Sequence, residues 1–367
     1  MPRVTTGTTQ ASPTFVRSDL VVLGGGGLAV VVAGLAHYLD WTGVVAFVLA
    51  GVAVTLLASL VGRSVEQLGD RFGPGATGVL QSALGNLPEL FISLFALKAG
   101  LVGVVQAALI GSILANLLLV MGIAFVVGGL KHGSQSIDSE RARSISVLML
   151  VAVVAMVFPS MAAWIHAPAA LHEKSLSDIA AVVLLLLFAL SLPASLRRGN
   201  GGLNAPMAHE AEPPRWPVPL AVGLLALAGL LAAFVSDWFV AALQPAMDSW
   251  GISDVFAGLV IVAIAGNAIE NVVGVQLAAR NQSDYAFSLI INSPLQIALV
   301  LAPALVLLSQ VFGFAALTLV FSPMLVCAVF LAVLIAVVIT VDGESNWLEG
   351  ASLIGVYAVI AASFWWG

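Results

Sequence analysis

The sequence predicts an all-α integral membrane protein of about eleven transmembrane helices arranged as one leading helix and two inverted five-helix repeats. Three observations predict it. Of 367 residues, 60% are hydrophobic and 9% charged, whereas a soluble domain carries roughly a quarter charged residues, and the mean hydropathy is +1.09. Apolar runs of about 20 residues, enough to cross roughly 30 Å of hydrocarbon, recur along the chain. The few basic residues, finally, crowd into alternate loops.

Taken in order, residues 1–41 form a polar cytoplasmic tail and a leading helix near 20–38. No small-residue cleavage signal follows the tail, so no cleaved signal peptide is expected. Residues 42–196 hold spans near 42–62, 74–99, 102–130, 145–166 and 176–196. A linker, 197–216, "RRGNGGLNAPMAHEAEPPRW", is rich in Gly, Pro and charge and reads as a flexible cytoplasmic connector. Residues 217–367 hold spans near 217–237, 253–279, 284–312, 316–341 and 347–366. The runs at 74–99 and 253–279 are the least uniformly apolar. With the N-terminus inside, the inner loops carry Arg3, Arg17, Arg63, Arg71, Lys131, Arg141, Arg143, Arg197, Arg198, Arg215 and Arg280, and the outer loops only Lys98 and Lys174. Lys and Arg resist translocation, so this bias predicts N-in, C-out; the expected location is a bacterial plasma membrane.

Several function classes fall away. The formal charge of −6 comes from loops and tails, and no basic stripe suggests nucleic acid. The single cysteine, Cys327, excludes an internal disulfide and a cysteine-rich metal cluster and reads as a packing residue. The five histidines sit at span ends or in loops with no ligand spacing. "GGGG" at 24–27 reads as a site of close helix packing, and Trp41 and "FWW" at 364–366 as interfacial anchors.

The halves repeat. "GNLPEL" at 85–90 and "GNAIEN" at 266–271 share Gly, Asn and Glu at one constant offset, the distance along the chain from Gly85 to Gly266. The same offset carries Ser112 onto Ser293 and Leu114 onto Leu295, so the spacing from Glu to Ser is identical in both halves. Five spans per half is an odd number, so the second unit enters the bilayer from the opposite side. Inverted repeats of this kind are typical of secondary transporters and bring equivalent elements together at mid-membrane. Glu89 and Glu270 are expected to face one another there.

Nearly all other charged residues lie in tails, loops or near span ends. A carboxylate in hydrocarbon costs several kcal/mol unless paired, protonated or bound to a cation. No Lys or Arg lies deep in a span, which leaves a proton or a metal. Two close carboxylates repel, so the empty site favours a proton on at least one of them, while a divalent cation drives both protons off. Asn86, Asn267 and Gln296 offer amide oxygens, and Ser112 and Ser293 hydroxyls, a set suited to a hard cation such as Ca2+; Mn2+ also suits oxygen ligands. Gln81, Asn116 and Asn271 are possible supporting groups, and inter-helix hydrogen bonding is the plainer role for Ser112, Asn116 and Gln81. Gly85, Pro88, Gly266 and Pro294 mark places where a helix can break.

The blocks 85–122 and 266–303 that carry these motifs resemble the signature repeats of the calcium/proton exchangers, a branch of the calcium/cation antiporters. The resemblance implies that Glu89 and Glu270 bind Ca2+ and H+ alternately, supported by Asn86, Asn267, Ser112, Ser293 and Gln296, with no other cofactor. The chain departs from that pattern at Asn271, where the family has His; at Asn292, where it has Gly; at Pro88, where Thr is common; and at Gln81, where Asn is frequent. Ile113 stands where the sodium-coupled branch typically places Asn. The expected function is therefore Ca2+/H+ antiport across the lipid bilayer by alternating access. Na+/Ca2+ or Na+/H+ exchange is the alternative in the same class, and an intramembrane hydrolase using the two carboxylates is a remote one.

Overall fold

Hydropathy alone does not say how long each helix runs; caps and breakers do. In the computed structural model the leading helix α1 spans Arg17–Tyr38, and α2 spans Gly43–Phe72, well beyond the apolar window that announced it. The structure describes residues 14–72, 80, 84–197, 214–340 and 342–365, apart from the side chains of 70, 72, 139–141, 193–197, 269 and 270. Next come α3 (Leu87–Lys98), α4 (Val102–His132), α5 (Ser139–Trp164) and α6 (Glu173–Arg197). The second half holds α7 (Val218–Trp250), α8 (Asp254–Gly266), α9 (Ala268–Ala279), α10 (Ser283–Val311), α11 (Pro323–Thr340) and α12 (Trp347–Ser363). Among the described residues eight helices are long and apolar enough to cross a membrane. The pair α8 and α9, bent by 60° at its break, makes a ninth.

Local chemistry fixes the ends. Helix α7 opens on Pro217 and Pro219, whose missing N–H groups cost nothing in a first turn. It stops at Gly251, whose φ of 64° suits glycine and whose N–H closes on Met247. Helix α12 opens with Asn346 accepting from the N–H groups of Leu348 and Glu349 while its own N–H donates to Glu349, a reciprocal capping box.

The apolar window at 316–341 is not all helix. Residues 316–322 are non-helical, and α11 starts at Pro323. Irregular backbone inside a membrane protein must be satisfied by protein, and side chains from other helices do so. Gln106 donates to the carbonyls of Thr318 and Val320. Ser160 donates to the Leu319 carbonyl and accepts from Phe321 N–H. Ser177 and Ser309 accept from Leu319 and Leu317.

The loops sort to two ends. At one end lie 132–138, 279–284 and 343–346, joined by two-residue strands Gln135–Ser136 and Glu344–Ser345, which pair antiparallel, and by Asp284, which accepts from Asp138 N–H at 2.7 Å. These strands are a local clasp in an otherwise helical molecule. Arg63, in the C-terminal half of α2, and Arg215, just before α7, flank buried Asp19 at 2.7 and 3.9 Å, while Arg71, near the end of α2, holds the Trp216 carbonyl. Lys98 lies at the far end of α3, 3.8 Å from Asp237.

Two smaller expectations are corrected. Cys327 is exposed on α11 rather than packed, because its position falls on the outward stripe between buried Val326 and Ala328. The glycines at 24–27 do not bring backbones together: Gly24 and Gly27 face open space, and Gly25 and Gly26 meet only the Leu56 side chain. Close backbone contact occurs instead where Gly111 meets Leu259, Gly258 meets Val104 and Gly122 meets Gly350.

Candidate functional site

Both motifs break their helices in the same way. Asn86 (φ −93°, ψ 21°) and Asn267 (φ −97°, ψ 14°) are the N-caps of α3 and α9, in the sparsely populated region between helix and strand. Glu89 and Glu270 therefore each occupy the third position of a helix, where the unsatisfied N–H groups and the positive end of the helix dipole favour a negative charge. Pro88 sits in the first turn of α3, the one place in a helix where proline is tolerated. Gly85 and Gly266 precede the caps as expected. Gly266 has a specific reason: a Cβ there would lie 2.7 Å from Glu89 Cγ and 3.3 Å from its Oε1. The first motif's carboxylate thus lies on the backbone of the second motif's break.

Pro294, expected at a break, instead sits within a continuous helix from Ser283 to Val311. A π-helical turn, Ile297–Leu301, follows it. The other half has a π turn at Ala115–Val120, at the same repeat position, without any proline.

The polar side chains converge. Asn267, fully buried, donates to Ser112 Oγ (2.9 Å) and to the Ala263 carbonyl (2.9 Å). Its Oδ1 accepts from Ser293 Oγ (3.0 Å) and Asn116 Nδ2 (3.1 Å). Asn116 also donates to the Ser112 carbonyl (2.9 Å) and lies 3.4 Å from Ser293 Oγ. Its own Oδ1 is buried with no hydrogen-bond partner among the described residues. Asn86 Nδ2 reaches Gln296 Oε1 at 3.5 Å. Helix α4, the start of α9 and helix α10 are thereby tied at one point, with Asn267 as hub. A cation taking Asn267 Oδ1 displaces two donors, so occupancy and this network are linked. Asn271 lies one turn further along α9. Gln81 and the side chain of Glu270 lie outside the described residues. Among those described, no three His, Cys, Asp or Glu side chains converge on one point.

Two hydroxyls went unread in the sequence. Thr55, on α2, donates to the Gly51 carbonyl (3.0 Å) and lies 3.5 Å from the Ala265 carbonyl, just before the second break. Ser236, on α7, is fully buried with no partner among the described residues. The same offset that relates Gly85 to Gly266 relates Thr55 to Ser236. Applied to the long helices as well as to the motifs, it finds them.

A helical membrane protein with two like-built helix breaks facing a shared polar centre belongs to the class of ion transporters rather than enzymes. The family model for the sodium/calcium exchanger protein matches residues 42–196 and 220–366, and the chain belongs to that family. It is 38% identical over 338 residues to the Ca(2+)/H(+) antiporter ChaA of Bacillus subtilis, covering 91% of this chain and 95% of that protein. It is 36% identical over 348 residues to the Ca(2+)/H(+) antiporter of a Synechocystis species, covering 90% and 93%. The solved structure of native YfkE superposes with a TM-score of 0.79 at 34% identity, covering 94% of this chain and 99% of that one.

Proposed function

We propose that this chain is a Ca2+/H+ antiporter of a bacterial plasma membrane, N-terminus inside, in which Glu89 and Glu270 bind the cation and protons in competition. The observation that carries the reading is the contact of Glu89 with Gly266, which sets the first carboxylate against the helix start that bears the second. Asn86, Gln296, Ser112, Ser293 and Asn267 supply neutral oxygens around that contact. Ca2+ takes 6 to 8 such oxygens, and a carboxylate pair holding it must give up its protons, so the loaded and protonated sites exclude one another. Curated relatives that match along most of this chain are Ca(2+)/H(+) antiporters by name, which favours H+ over Na+ as the counter-ion. On this reading the long helices α2 and α7 move against the rest to open one side and then the other.

The test is flux in vesicles reconstituted with the purified protein. An imposed pH step, acid on the trans side, is expected to drive Ca2+ uptake in sodium-free medium. Uptake that follows a sodium gradient and ignores pH would assign the chain to Na+/Ca2+ exchange instead. Mn2+ in place of Ca2+ in the same assay sets the selectivity.

A further inference from the structure

The repeat is broken in one systematic way. Along α10, polar residues recur at every fourth position, Asp284, Ser288, Asn292 and Gln296, which places them along one side of the helix. The repeat partners of the first three of these are Gly103, Ala107 and Gly111. In the first half that stripe is dry and tight: Gly111 touches the Leu259 backbone, and a Cβ at Gly258 would lie 2.8 Å from Ala107 Cβ. In the second half the same positions carry hydrogen-bonding groups, and two of them are orphans. Ser288 Oγ and Asn292 Oδ1 are buried with no hydrogen-bond partner among the described residues, and so is Asn271 Oδ1 on the neighbouring helix α9.

Ser288 and Asn292 lie one turn apart on one side of α10, the side that continues to Gln296 beside Asn86. Helices α9 and α10 form an antiparallel hairpin closed by a short turn at residues 280–282, and Gly274 packs against Ile290. Further from the turn, Asn271 falls level with Asn292 and Ser293, beside the polar hub. Ser288 lies one turn closer to the loop end, and Asp284 one turn beyond that, at the clasp with Asp138. Inside a membrane a buried polar atom without a protein partner requires another one. Water fills that need where several polar groups line the same space.

We propose that Ser288 and Asn292 anchor buried water in a one-sided track along α10 that runs from the 280–282 turn to Gln296 at the cation site, with no counterpart in the first half. Resting on the antiport reading above, the track keeps the site hydrated from the loop end carrying Arg280, the end at which that reading exchanges ions with the cytoplasm. A cation or proton arriving there meets water along α10, and none along α4.

Silver ion, small enough to follow water into a narrow space, tests this in the full-length protein with Cys327→Ala as background. Thiols introduced by Ser288→Cys and, separately, Asn292→Cys are expected to be modified by Ag+ added from the cytoplasmic side, and a thiol from Ala107→Cys is not. Two introduced thiols guard against one variant failing to fold. Lack of modification at both track positions overturns the proposal, and equal modification at Ala107→Cys overturns its one-sidedness. The double variant Ser288→Ala, Asn292→Gly, which copies the first half, is expected to lower the exchange rate roughly tenfold, about one lost hydrogen bond, with Ser288→Thr restoring most of it. Unchanged exchange in the double variant counts against the track. Modification without any proton-driven Ca2+ flux in the parent protein leaves the track standing and removes the antiport reading alone.

Discussion

Helices α3 and α9 start alike and end up in different surroundings. Both follow an Asn cap of nearly the same φ and ψ, and both place a Glu at the third position. Yet α3 lies along α7, from Leu87 beside Gly229 to Lys98 beside Asp237, while α9 touches α2 lightly and packs instead on α10 and the end of α4. Side-chain burial follows. Ile92 on α3 is 2% exposed, whereas Val273, its equivalent in the repeat, is 39% exposed; Val272 is 56% exposed where Phe91 is half-buried. On the antiport reading proposed above, this unequal packing of related sequences corresponds to two arms at different stages of one movement. That reading expects such a difference, because in an inverted-repeat transporter exchanging the two environments switches the side to which the site opens.

Removing a carboxylate bears most heavily on the comparison. Glu89→Gln and Glu270→Gln are each expected to reduce Ca2+ flux more than a hundredfold, about 3 kcal/mol or more of lost cation stabilisation, with normal yield of folded protein in detergent. Equal losses from the two arms make them functionally paired despite their unequal packing; normal flux in either variant removes that arm from the site.

Next comes the hub. Asn267→Ala leaves Ser112, Ser293 and Asn116 without their shared partner, and each orphaned group costs about 1–3 kcal/mol. A lowered thermal unfolding midpoint together with weaker Ca2+ uptake is the expected pair of effects. Loss of stability alone would make Asn267 a structural tie and not a ligand support. Gly266→Ala drives a Cβ into Glu89 Cγ, and its expected signature is the reverse: flux falls roughly tenfold while the unfolding midpoint shifts by only a few degrees.

The packing difference itself has a smaller, separable signal. Ile92→Ala is expected to destabilise by about 2–5 kcal/mol, and Val273→Ala by under about 1 kcal/mol. Thermal unfolding of the two variants side by side checks this, and equal losses would mean that α9 is as well packed as α3. Lys98→Ala is the least of these changes: its partner Asp237 is half exposed, and such pairs contribute at most about 1 kcal/mol.

Much of the centre of the molecule was legible because motif spacing survives where packing does not. The constant offset between the halves pointed to Asn86, Asn267, Ser112 and Ser293, and the structure brings the last three into one hydrogen-bonded cluster with Asn116. Asn116 has Ile297 as its repeat partner, so symmetry gave no hint that it would be central. What escaped were features that hydropathy does not encode. Residues 316–322, "ALTLVFS", read as membrane helix because they are apolar; their non-helical backbone depends on nearby Ser309 and on Gln106, Ser160 and Ser177, which are distant in sequence. The end of α7, "WFVAALQPAMDSW", lost its apolar signal to Gln244, Pro245 and Asp248, although the helix continues to Trp250. Pro294 was read as a break because proline interrupts the hydrogen-bond ladder; the helix nonetheless runs through it from Ser283 to Val311.

The central claim is that a divalent cation and protons compete for the same oxygens on Glu89 and Glu270. Titrating Ca2+ into purified, weakly buffered protein while following the pH of the solution tests it most directly. The account predicts that binding releases roughly one to two protons per Ca2+, that affinity falls as pH is lowered, and that release shrinks in Glu89→Gln and Glu270→Gln. Ca2+ binding that releases no protons and keeps its affinity across the same pH range would contradict it.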